Sequence, residues 1–148
     1  MGLAENYIPT PNQFQEVFTN QEAFAAIVLL AIAADGNLEP EQAEKMCGTL
    51  SRIRLFHNYS QDSMNKMFEK LLDVLQSSGL NALFNTAKES LSPQLRESAF
   101  AAATDLLLCE SIITEEERYF LRDLCQALGL ETDIANKIVE VMTIKNRA

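Results

Sequence analysis

Residues 23–34 read AFAAIVLLAIAA, twelve consecutive residues with no polar side chain, glycine or proline. Ala and Leu favour a helix, and the run lacks the period-2 alternation of a half-exposed strand. It is too short to span a bilayer, which takes about 20 apolar residues. A helix that is apolar all round has no face to give to water, so it must sit inside a shell of other helices. Residues 99–109, AFAAATDLLLC, make nearly the same demand a second time. The rest of the chain supplies the shell, because its apolar residues recur at three- and four-residue spacing. This predicts an all-α fold, a compact bundle of about seven to eight helices in one domain over 1–148.

Punctuation residues divide the bundle. Pro9 and Pro11 make 1–10 an extended arm, and a short helix follows over 12–18. Asn20 is the expected N-cap of the helix over 21–34, and Gly36 its C-terminal stop. Pro40 opens a helix expected to run to residue 56, with Ala43, Met46, Cys47, Leu50 and Ile53 on its inner face. Ser60 caps a helix over 61–76, which Ser77-Ser78-Gly79 ends before another over 80–90. Ser92-Pro93 starts the second apolar helix. Thr114 and Glu117 have capping-box spacing before a helix that stops at Gly129. Thr132 is expected to cap the last helix, with Ile134, Ile138, Val141 and Met142 inward.

The chain also repeats itself. Ala23-Phe24-Ala25-Ala26 matches Ala99-Phe100-Ala101-Ala102. AADGNLEPEQ then matches LCESIITEEE, with Asp35 over Glu110, Leu38 over Ile113 and Glu41 over Glu116. Each unit, 21–56 and 93–130, is a buried helix, a turn holding one apolar residue, and an acid-headed amphipathic helix. Two such units are expected to pack with approximate two-fold symmetry.

Charge and cysteine usage narrow the partners. The net charge of −9 argues against nucleic acid and against anionic membrane surfaces, both of which select clustered Lys and Arg. No hydrophobic leader or spanning run is present in MGLAEN or beyond it, so direct membrane insertion is not expected. Cys47, Cys109 and Cys125 sit in helical patterns with no zinc-ligand spacing, and read as reduced core residues of a cytoplasmic protein.

The acidic corners carry the chemical question. With Gly36 at position 6 of a calcium-binding EF-hand loop, Ala31, Ala33 and Gln42 fall at positions 1, 3 and 12. Three ligands are lost, which excludes that motif. Asp35 and Glu41 still flank a tight turn, and Glu44 shares the helix face of Glu41. Such a corner can bind a hard divalent cation, Ca²⁺ or Mg²⁺, with the second corner completing the shell. Acids in a first helical turn also serve the helix dipole without any ligand. Catalytic groupings are not evident. His57 is the single histidine and lies in a loop, and Asp105 is a lone carboxylate inside an apolar helix.

The passages AFAAIVLLAIAADGNLEPEQAEKM and AFAAATDLLLCESIITEEERYFLRDLCQALGL together resemble the TerB-like tellurite-resistance domain over roughly 21–130. The resemblance implies a bacterial all-helical module of tellurite resistance and chemical-stress response, non-enzymatic and metal-associated. Carried over by position, it implies Asp35 and Glu41 from the first unit and Glu110 and Glu116 from the second as metal ligands. Ser111 departs from the family's Asp-Gly in the second unit. The family also implies a protein partner, in some cases within a membrane-proximal complex. A metal-free acidic interaction domain, docking a basic partner, is the alternative expectation.

Overall fold

The computed structural model describes residues 17–34, 40–108 and 114–147. The expected arm over 1–10 and most of the expected 12–18 helix lie outside these residues. So do Asp35, Gly36, Leu38, Cys109, Glu110, Ser111 and Ile113.

The first helix, α1 (Asn20–Ala34), begins one residue earlier than its sequence suggests. Thr19 is the cap: its Oγ1 accepts the Glu22 N–H at 3.1 Å, while Glu22 Oε1 accepts the Thr19 N–H at 3.0 Å. That reciprocal box needs a Glu three residues past the cap, which Thr19 has and Asn20 lacks. Residues Ala23 through Ile32 are all buried, as an all-apolar helix requires.

The second helix, α2 (Pro40–Ser51), stops short of the expected Phe56. Ile53 is extended (φ −93°, ψ 134°) and a 3-10 turn, Arg54–Phe56, follows. Packing decides this. On an uninterrupted helix Phe56 would lie about 240° round from Leu50, away from the buried face. The turn instead lays its ring edge-on against Phe24 (5.8 Å) and Tyr59 (5.5 Å), where it is 1% exposed. Met46 and Leu50 are buried as expected, and Ala43, Cys47 and Ile53 half-buried.

The third element, α3 (Gln61–Glu89), is two helical segments meeting at a kink at Gly79, where the sequence places the break between its 61–76 and 80–90 helices. Ser60 caps it by accepting the Ser63 N–H at 3.1 Å. Gly79 interrupts it with φ 91° and ψ 172°. Its other end is closed by Arg96, whose Nε and Nη2 both donate to the Lys88 carbonyl. The fourth helix, α4 (Pro93–Leu108), starts at Ser92, whose Oγ accepts the Leu95 N–H. Its one fully buried polar side chain, Thr104, donates to the Phe100 carbonyl at 2.8 Å.

The capping box is present at α5 (Glu115–Leu128): Thr114 and Glu117 exchange two bonds of 3.0 Å. Gly129, left-handed at φ 75°, ends α5 with Gly129 N–H to Gln126 and Leu130 N–H to Cys125 bonds. The last helix, α6 (Thr132–Asn146), takes Glu131 as its cap residue, and Thr132 is the first helical residue instead. Val141, expected inward, is 57% exposed. The inner stripe of α6 is Ala135, Ile138, Val139 and Met142, and Val141 lies about 200° from Val139 on that helix.

The described residues thus form six α-helices, one of them kinked into two segments at Gly79, and no strand; most of the expected 12–18 helix lies outside them. The central helix α1 packs against α3 and α4, α2 bridges α1 and α4, and α6 lies chiefly on α4.

Candidate functional site

The expected carboxylate site is only half within the described residues. Glu41 stands exposed in the first turn of α2 and Glu116 exposed in the first turn of α5. Asp35 and Glu110 lie outside. Among the described residues no group of three or more His, Cys, Asp or Glu is arranged to hold a metal ion.

Glu116 nonetheless has an informative neighbour. It borders a depression of about 30 Å³ together with Ala31 and Ala34 at the end of α1, and Leu107 at the end of α4. Phe120 and Glu117 complete its wall. The head of α5 therefore lies beside the tail of α1. Helix C-termini carry the negative end of the dipole, so a carboxylate there adds like charge to like. A cation would offset both. Glu117 is committed to the capping box, which leaves Glu116 as the freer carboxylate.

The remaining candidates have structural surroundings. Asp105 is a cross-link: its Oδ1 accepts from Lys145 Nζ at 3.1 Å and Asn146 Nδ2 at 2.8 Å, pinning the end of α6 to α4. His57 is exposed after the 3-10 turn. Cys47 and Cys125 are free thiols. Burial, and then the Glu44 carboxylate, push the Cys47 thiol above its ordinary 9.0. Burial alone pushes Cys125 up. The stripe of Met64, Met67 and Phe68 on α3 belongs to the core.

The structure adds a feature that sequence reading missed. A trough of about 400 Å³ runs between α5 and α6. Phe100 of α4, Leu121, Cys125, Ala135 and Val139 supply its apolar wall. Arg118 and Arg122 line it from α5 and Glu140 from α6. A volume of this order is typical of ligand clefts. The available sequence signal was the Arg118/Arg122 pair at four-residue spacing on a helix otherwise headed by acids.

Among the described residues no helix is long and apolar enough to cross a membrane. The chain matches no protein-family model, no curated protein and no solved structure.

Proposed function

We propose that the chain is a non-enzymatic, TerB-like stress-response module of the bacterial cytoplasm that works by binding a divalent cation at its two helix corners. The observation that supports this reading is the depression where Glu116 meets the tail of α1. The ligands would be Asp35 and Glu41 from one repeat unit and Glu110 and Glu116 from the other, a duplication used to close one site. All four are hard oxygen donors, suited to Ca²⁺ or Mg²⁺. Thermal melting with and without each ion tests it. Ion at about a hundred times its Kd stabilises by about 2.7 kcal/mol, or roughly 5–10 °C for a chain of this size. Asp35→Asn with Glu41→Gln removes the shift. No shift with millimolar Ca²⁺ or Mg²⁺ refutes the metal reading.

The trough between α5 and α6 favours a second reading, in which the module is a protein-interaction scaffold that needs no metal. Its partner could belong to a membrane-proximal complex without the module itself entering the bilayer. Capture of a partner at low salt, and its loss at high salt, tests this reading.

A further inference from the structure

The two arginines of the α5–α6 trough run against the charge of the molecule. The chain carries −9 overall, and a basic partner would suit most of its surface. The α5 lip of the trough instead presents Arg118 and Arg122, four residues apart and so on one face of the helix. Neither arginine makes an ion pair among the described residues. Glu140, on the opposite lip, is bonded to neither. The Arg122 guanidinium lies 5.7 Å from the ring centroid of Tyr119, which is itself 58% exposed. This cation–π contact leaves the guanidinium donors without a hydrogen-bond partner among the described residues.

We propose that this trough docks a short acidic segment with one apolar face, contributed by a partner protein. The proposal rests on the protein-interaction reading and reverses the charge expected of the partner. Leu121, Cys125 and Val139 offer the apolar wall against which the segment's face would lie. The planar guanidinium forks of Arg118 and Arg122 suit carboxylates, which they can hold through two parallel N–H donors. A basic segment would meet like charge at the α5 lip. From Arg118 to Gln126 the lip extends about 12 Å, at about 1.5 Å of helix rise per residue. That length fits about two turns of a helical segment, presenting apolar anchors at i, i+3 or i+4, and i+7.

The test uses the full chain and a fluorescein-labelled probe peptide of about twelve residues, leucine on one face and glutamate on its flanks. A matched peptide has lysine in place of glutamate. Fluorescence anisotropy should show the glutamate peptide binding and the lysine peptide at least about tenfold weaker. Arg118→Glu with Arg122→Glu should cost about tenfold in affinity, and Arg118→Gln with Arg122→Gln somewhat less. Far-UV circular dichroism and the melting temperature, both unchanged, show that these exposed substitutions leave the fold intact. Equal binding of the two peptides, or full binding by the folded Arg118→Glu, Arg122→Glu variant, overturns the proposal. A concentration-dependent dimer that the same variant abolishes also overturns it, by assigning the trough to a second copy of the chain. If wild type and variant capture the same partner equally, the trough falls and the interaction reading stands. If neither captures a partner and the probe does not bind, both fall.

Discussion

Gly79→Ala is a sharp test of the architecture, because two principles predict opposite signs for it. Alanine in a helix interior is worth about 1 kcal/mol more than glycine, so straightening α3 would stabilise it. The backbone at Gly79, however, sits at φ 91° and ψ 172°, a region open essentially to glycine alone, where another residue costs about 1–3 kcal/mol. Straightening is not a free escape. Val74 and Leu83 are both buried, yet nine residues of continuous helix would set them about 180° apart. The bend is what lets both halves of α3 face the core, and losing Leu83 from it would cost about 1.5–3 kcal/mol. A Cβ at position 79 meets no atom within 4 Å, so steric clash does not confuse the result. Gly48 is the control: it is helical, a Cβ there also meets nothing within 4 Å, and Gly48→Ala should stabilise by about 0.5–1 kcal/mol. Urea unfolding followed by circular dichroism measures both. We expect Gly79→Ala to lose about 2 kcal/mol, or roughly 4–8 °C in melting temperature. A Gly79→Ala variant as stable as Gly48→Ala would show that the bend is dispensable and refute the reasoning.

Two further outcomes follow from the core. Phe56→Ala should destabilise by about 3–5 kcal/mol, since it removes a fully enclosed ring and its edge contacts to Phe24 and Tyr59; a loss below about 1 kcal/mol would mean that the 3-10 turn is not anchored by that ring. Cys47 and Cys125 both hold their protons more tightly when folded than an ordinary thiol does. Their contribution is complete below the unfolded value and fades as pH rises above about 9, so a Cys47→Ala, Cys125→Ala variant should lose less stability than wild type between about pH 8 and 10.

Much of this molecule is local chemistry, and that part is legible in the chain. The all-helical class follows from AFAAIVLLAIAA and the three- and four-residue spacing around it. The Ser60, Ser92 and Thr114 caps and the Gly129 stop follow from hydrogen bonds within a few residues. The same local reading errs by one residue at Asn20, where Thr19 forms the box with Glu22, and at Thr132, where Glu131 holds the cap position without a side-chain bond. Packing between distant segments decided the rest. Periodicity extends α2 to Phe56, but the pocket between Phe24 and Tyr59 bends the chain at Ile53 to receive that ring. Asp105 finds Lys145 and Asn146 forty residues away, a pairing that no spacing rule contains. The meeting of Glu116 with the end of α1, and the trough beneath Arg118 and Arg122, arise only when α5 and its neighbours dock on the central helices. Sequence determines what each helix must bury and where it can start and stop; which carboxylate faces which helix end depends on how the buried faces interlock.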